Sequence, residues 1–159
     1  MTKAKKTAVE YAASLLGNRM YSAAELRKKL YAKEYSAVEI RQIIEDFTRK
    51  GYLNDALYAE NLSGGMTARG DGKRKIAGKL RTRGIDPEII DETLHRLDND
   101  IPEDESAWQS LQKKQAALLH EPDERKRKEK AIRYLAGRGF SAAAAFSAWD
   151  HFLDSIKSV

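Results

Sequence analysis

Basic side chains are the residues whose type and spacing could do chemistry in this sequence, and that chemistry is the binding of an anion. Within residues 73–83, helical spacing puts Lys75, Lys79 and Arg83 on one stripe. Ile76 and Leu80 would face a core, so we expect the bases to point outward. The full cluster consists of Lys73, Arg74, Lys75, Lys79, Arg81 and Arg83.

Two further basic clusters lie at corresponding places of the chain. A single charge run on a helix is usually only a solvated face. Three clusters on the same helix of stacked repeats would form one extended cationic strip, suited to a regular polyanion or an acidic groove. The first of these clusters is Arg27, Lys28 and Lys33, and the last is Arg125, Lys126, Arg127, Lys130, Arg133 and Arg138.

Catalytic chemistry finds no support in the sequence. His95, His120 and His151 are scattered and have no metal-ligating partner at helical spacing. The glycines at 70 and 72 precede a lysine, but the Gly-x-x-x-x-Gly-Lys-Ser/Thr run of a phosphate loop is absent. We therefore expect a protein that is not an enzyme and that needs no metal or cofactor.

The elements that would position the bases are indicated by a seven-residue phrase that occurs three times, at residues 30–36, 80–86 and 135–141. Its pattern is leucine, two variable residues, a base, Glu or Gly, a bulky apolar residue and a helix-capping residue. Self-similarity at a period of this length is typical of stacked copies of one supersecondary unit.

Each phrase predicts the end of one helix, a tight turn and the start of the next. The bases suit the negative end of a helix dipole, and Gly84 and Gly139 can adopt the left-handed conformation that closes a helix. Glu34 cannot do so cheaply, so we expect a different turn in the first copy. The predicted N-cap residues are Ser36, Asp86 and Ser141.

Apolar residues at helical spacing surround each phrase and predict an all-α fold. The same offsets recur after each phrase, as in Ile40, Ile44 and Phe47 of the first copy. The pattern favours about nine helices in three tandem three-helix repeats, at residues 1–52, 53–99 and 100–159, in an elongated array that can curve. We expect a monomer, because the repeats can bury their apolar faces against one another.

Composition sets the broad class. The chain has 159 residues, a net charge of +5 and no cysteine, which excludes a disulfide scaffold and a thiolate metal site. No apolar run is long enough to span a membrane, so we expect a cytoplasmic protein. The positive charge suggests a polyanionic partner.

A segment between the first two phrases resembles the signature of a known family. The run Gly51-Tyr52-Leu53-Asn54-Asp55-x-x-Tyr58-Ala59 is similar to the Gly-Tyr-Leu-Asp/Asn-Asp-x-x-aromatic-Ala signature of the RecX regulatory proteins. The glycines at 70 and 72, followed by Ile76, Leu80 and Arg83-Gly84-Ile85, resemble the segment that follows it in that family. The resemblance covers essentially the whole chain.

The resemblance implies a non-enzymatic modulator of the RecA recombinase, a partner bound along the groove of the RecA–DNA filament. The expected effect is repression of ATP hydrolysis, strand exchange and repressor cleavage in DNA repair and the SOS response, with weak binding to single- or double-stranded DNA. Two alternatives remain open at this point. One is a stand-alone DNA-binding protein built of three-helix modules, and the other is a helical adaptor for an unrelated partner.

Overall fold

The computed structural model describes residues 4–159 as an array of α-helices joined by short turns, and no strand occurs in this part of the chain. The all-α prediction is therefore confirmed. The helices are α1 (Ala8–Leu16), α2 (Ala23–Ala32), α3 (Ala37–Arg49), α4 (Asp55–Ala68), α5 (Lys73–Thr82), α6 (Pro87–Asp100), α7 (Glu103–Gln112), α8 (Gln115–Leu119), α9 (Glu124–Gly137) and α10 (Ala142–Lys157).

The described residues contain ten helices, one more than the sequence pattern predicted. The first helix expected in the third repeat is divided into α7 and α8. The backbone N–H groups of Lys113 and Lys114 donate to carbonyls three residues back, at 3.3 and 2.9 Å, instead of four residues back. This tighter turn ends α7 before α8 begins.

Three buried clusters form the core, and each belongs to one group of consecutive helices. The first cluster is built from α1, α2 and α3, with Leu26, Leu30 and Ile40 almost fully buried. The second is built from α4, α5 and α6, and the third from α7 to α10. Among the described residues, the helix pairs with extensive contact lie within these groups. We call the groups units one, two and three.

The repeated phrases form the turn between the second and third helices of units one and two and between the last two helices of unit three. Ser36, Asp86 and Ser141 are N-caps whose side chains accept hydrogen bonds from backbone N–H groups of the next helix, as predicted. The prediction of a different first turn is wrong. Glu34 has φ of +62°, in the same left-handed region as Gly84 and Gly139.

Units one and two meet at a joint where the N-terminus of α2 contacts the turn after α5. The Ser22 hydroxyl donates to the Arg83 carbonyl at 2.6 Å. The Arg83 guanidinium donates to Oε1 of Glu25 at 2.5 Å. The N–H of Ala23 donates to Oδ1 of Asp55 at 2.9 Å. This first joint therefore relies on side chains, two of which are carboxylates.

Units two and three meet at a second joint, where the N-terminus of α5 contacts the turn after α9. Gly72 is the N-cap of α5 and makes no side-chain cap, but its N–H donates to the Arg138 carbonyl at 2.7 Å. The N–H of Arg74 donates to the Gly139 carbonyl at 3.1 Å. The hydroxyl of Ser110 donates to the Gly70 carbonyl at 2.8 Å. Backbone groups therefore dominate the second joint.

Candidate functional site

A cleft of about 600 Å³ lies between α2 and α5, beside the first joint. We call it the first basic cleft, because basic side chains from both units line it. Glu25 is its only acidic residue, and Oε1 of Glu25 is held by Arg83. The bases lining the cleft are Arg19, Lys28, Lys29, Lys79 and Arg83.

A second basic cleft, of about 460 Å³, lies between α5 and the end of α9. Its bases are Arg69, Lys75, Lys79 and Arg138. Its one acidic residue, Asp71, is buried, and Oδ1 of Asp71 lies 3.0 Å from the Lys75 ammonium and 3.2 Å from the Arg138 guanidinium.

The two clefts share Lys79 and Thr82, so they form one continuous surface. We call this surface the basic band. It carries eight different bases and two carboxylates, an excess of six positive charges. Both carboxylates are already in ion pairs with bases of the band. Such a surface attracts a polyanion more strongly than the overall charge of the chain suggests.

The predicted strip is only partly brought together. Lys28 and Lys79 are exposed in the first basic cleft, and Lys75 is exposed in the second. Other predicted bases are exposed but line neither cleft: Arg27, Lys33, Arg74, Arg81, Lys126, Lys130 and Arg133. Lys73 is half-buried and pairs with Asp98 at 2.6 Å.

The basic cluster of α9 lies apart from the band, except for its last member. The Lys130 ammonium lies 2.8 Å from Oε2 of Glu121, and Arg127 donates through Nε to the Glu121 carbonyl at 2.9 Å. These contacts bind the start of α9 to the loop before it. Two members of this cluster, Arg127 and Lys130, therefore have a structural role in unit three.

Arg83 and Arg138 were expected to point outward, and the structure corrects this. Arg83 is half-buried against Glu25, and Arg138 is half-buried against Asp71 and the carbonyls of Arg69 and Gly70. Each lies in a turn that packs against the unit that comes before it in the chain. Lys33, the equivalent base of unit one, is exposed and lies 5.7 Å from the ring centre of Tyr11.

Three bases of the band were missed by the sequence reasoning. Arg19 precedes α2 and stacks on the ring of Tyr21 at 3.8 Å. Lys29 follows Lys28 on α2, and Arg69 ends α4. Lys29 could have been predicted, because it adjoins Lys28, which the sequence reasoning included. Arg19 and Arg69 could not, because their positions in the clefts depend on which loops face each other in the fold.

Electrostatics at the first joint favours the charged form of Glu25. Burial by itself would raise the pKa of Glu25, but the Ser22 backbone N–H and the Arg83 guanidinium outweigh it and hold that pKa below its usual range. The buried Tyr58 shows the opposite direction. Burial and the nearby Glu25 charge raise the pKa of the Tyr58 hydroxyl, which stays neutral at physiological pH.

The signature residues build the connection between units one and two. Gly51 has φ of +81° in the turn after α3, and Leu53 is buried in the core of unit one. Asp55 holds the N-terminus of α2, and Tyr58 is buried beside Glu25. Tyr52 is the exception, because it is 62% exposed and packs only edge-on against Phe47.

Neither a metal site nor a membrane-spanning helix occurs in the part of the chain that the structure describes. No group of three or more His, Asp or Glu side chains within residues 4–159 is placed to hold a metal ion. None of the ten helices is long and apolar enough to cross a bilayer.

Comparison with known families gives three consecutive matches. The first three-helix domain of RecX matches residues 8–47, the second matches residues 54–94 and the third matches residues 102–149. Each match falls on one unit of the fold.

Proteins similar to this chain carry the same family name. The Regulatory protein RecX of Trichlorobacter lovleyi is 34% identical over 79% of this chain and 82% of its own length. That of Pelodictyon phaeoclathratiforme is 35% identical over 84% of this chain and 81% of its own length. The crystal structure of RecX from Lactobacillus salivarius superimposes with a TM-score of 0.78 at 22% identity, covers 96% of both chains and supports the fold. The chain therefore belongs to the RecX family of regulatory proteins, which is not an enzyme family.

Proposed function

We propose that this protein regulates the RecA recombinase by binding along the RecA–DNA filament through the basic band. Binding lowers ATP hydrolysis, strand exchange and co-protease activity, because a three-unit body spanning neighbouring protomers restrains their motion. Two observations support the proposal: membership of the RecX family, and a continuous cationic surface that crosses all three units. The cationic surface is where we propose that the partner binds, because a polyanion or an acidic groove has the complementary charge.

The residues proposed to touch the partner are the accessible bases of the band. Lys28, Lys29 and Lys79 lie in the first basic cleft, and Arg69 and Lys75 lie in the second. The exposed bases outside the clefts act only through long-range attraction. We further propose that the protein acts as a cytoplasmic monomer whose repeats occupy residues 1–52, 53–99 and 100–159.

Filament ATP hydrolysis tests the proposal. The double variant Lys28→Glu, Lys79→Glu reverses two exposed charges of the band. Exposed charges contribute about 0.5–1 kcal/mol each, so the half-inhibiting concentration should rise about fivefold to thirtyfold. The matched control, Lys126→Glu with Arg133→Glu, makes the same change of charge on α9 outside the band. A parent protein without effect on hydrolysis at saturation, or equal effects of the two variants, would refute the proposal.

The second candidate function is binding of naked DNA without the recombinase. The excess of positive charge in the band favours it, because neutralised phosphates release counterions and make affinity fall steeply with salt. A DNA-binding protein of this kind should have the same affinity for DNA with and without recombinase. Tighter binding to the filament than to the bare strand at equal salt supports the leading proposal instead.

A further inference from the structure

Glu25 has two roles that oppose each other. Its Oε1 accepts from Arg83 at 2.5 Å, and this contact ties unit one to unit two. Its Oε2 lies 3.8 Å from Arg19 and accepts from the Ser22 N–H at 3.0 Å. The same carboxylate is the only acidic group in the first basic cleft. Glu25 is therefore both a link in the joint and the counter-ion of the cleft.

The lysines of the cleft have no counter-ion of their own. No ion pair of Lys28, Lys29 or Lys79 occurs within residues 4–159. An anion that enters the cleft meets these three ammonium groups first. It then competes with Glu25 for the guanidinium groups of Arg83 and Arg19, since an oxyanion makes the same charge-assisted hydrogen bonds as a carboxylate.

The second joint is more resistant to such competition. Its own ion pair joins Arg138 to the buried Asp71, and backbone N–H groups of Gly72 and Arg74 add hydrogen bonds to carbonyls of the opposite turn. These backbone donors are enclosed by the joint, because a Cβ atom at Gly72 would lie 2.6 Å from the Gly139 carbonyl carbon. An anion should therefore weaken the first joint more than the second.

We propose that the first basic cleft is a phosphate-binding site in which Glu25 is a displaceable counter-ion, so that phosphate binding and closure of the first joint oppose each other. Occupation of the cleft releases unit one relative to units two and three. By reciprocity, the factor by which bound phosphate disfavours closure of the first joint equals the factor by which closure disfavours phosphate binding. The inference rests on the proposed function only in that the basic band meets an anion.

Affinity for simple polyanions provides the first test. The probes are a short oligothymidylate and inorganic polyphosphate, with polyglutamate as the carboxylate counterpart. Glu25→Gln keeps the shape of the side chain and removes its charge, so affinity for both phosphate probes should rise about threefold to tenfold. The control Glu88→Gln makes the same charge change at an exposed position of α6, away from the cleft. Weaker binding by Glu25→Gln, a gain equal to that of Glu88→Gln, or a larger gain for polyglutamate overturns the proposal.

The distance between units provides the second test. The chain contains no cysteine, so Ala13→Cys on α1 and His95→Cys on α6 give two specific positions for spin labels. Pulsed electron paramagnetic resonance should show a broader or shifted distance distribution when oligothymidylate saturates the protein. A pair of labels at His95→Cys and Ala117→Cys, across the second joint, should show no change. An unchanged first distance at saturating probe overturns the inference, while filament inhibition measured separately decides the proposed function.

Discussion

Gly84 satisfies two constraints at one residue. Its φ of +73° lies in the region that disfavours a side chain, and an added Cβ would lie 2.3 Å from the Cβ of Ala24 in unit one. Gly51 meets only the first constraint, because its φ is +81° and nothing lies within 4 Å of an added Cβ. The two glycines therefore separate the cost of backbone strain from the cost of pushing two units apart.

Gly84→Ala should lower the free energy of unfolding by about 2–4 kcal/mol, and Gly51→Ala by only about 1 kcal/mol. Both substitutions introduce backbone strain, but only Gly84→Ala also introduces a steric overlap between two units. Urea denaturation of both variants measures the difference. Adding Ala24→Gly to Gly84→Ala removes the overlapping atom and should recover the excess cost. Equal losses for the two single variants would contradict this account of the joint.

Glu34 shows why the first phrase tolerates a residue that the other two exclude. At Gly139 a Cβ would lie 2.6 Å from the Cβ of Lys75 in another unit, whereas within residues 4–159 no hydrogen bond joins the turn at Glu34 to another unit. The glycine of the phrase is thus required by the contact between units more than by the turn. At Glu34 the side chain therefore costs only the backbone strain of the left-handed conformation.

Glu34→Gly should raise the free energy of unfolding by about 0.5–1 kcal/mol, because relief of the strain exceeds the added entropy of the unfolded glycine. The midpoint of urea denaturation reports the gain. Glu34→Ala keeps the Cβ at the same φ and should bring no gain. A stabilisation of equal size in both variants would mean that the glutamate side chain, and not the backbone, is unfavourable here.

At the scale of helices, the features that depend only on residues close together in the sequence could be predicted. The caps at Ser36, Asp86 and Ser141 were predictable because a cap and the backbone N–H that donates to it lie two or three residues apart. The orientation of Arg83 was not, because it depends on Glu25 of another helix. The basic band follows the same rule, since Arg19 and Arg69 join it only when loops distant in sequence meet.

Arg138 was predicted to lie on the partner-binding strip, but it is half-buried in the second joint. Its removal should therefore lower the stability of the protein. Arg138→Ala leaves the buried Asp71 with Lys75 alone and removes donors from the Arg69 and Gly70 carbonyls. We expect a loss of about 2–3 kcal/mol in the free energy of unfolding, the cost of unpaired buried polar groups. Arg133→Ala, exposed on the same helix, should change it by less than about 0.5 kcal/mol. Similar values for both would place Arg138 on the free surface after all.

At the scale of the whole molecule, the two joints differ in the kind of contact that holds them together. The second joint combines backbone hydrogen bonds, the Ser110 hydroxyl and the ion pair of the half-buried Arg138 with the buried Asp71, so it depends less on salt and pH. The first joint depends more on side chains, and the contact of Glu25 with Arg83 is strongest when the carboxylate is charged. Units two and three should therefore behave as one body, with unit one as the separable part.

Acid should weaken the first joint through Glu25. Its folded-state pKa is depressed, so its stabilisation is fully present above the unfolded value of about 4.3 and is lost as the pH falls through the lower folded value. Arg83, whose pKa is raised by Glu25, stays charged throughout, and the hydroxyl of Tyr58, with its raised pKa, stays neutral.

The difference in unfolding free energy between the parent protein and Glu25→Gln isolates this effect from every other carboxylate. We expect the parent to be more stable by about 1–2 kcal/mol near pH 7 and the difference to be smaller near pH 3, because that pH lies below the unfolded pKa of about 4.3 and part of the stabilisation by the charged carboxylate is then lost. Urea denaturation at the two pH values measures it, with Glu88→Gln as the control that should differ little at either. A difference of undiminished size in acid would show that the shape of the Glu25 side chain, and not its charge, holds unit one in place.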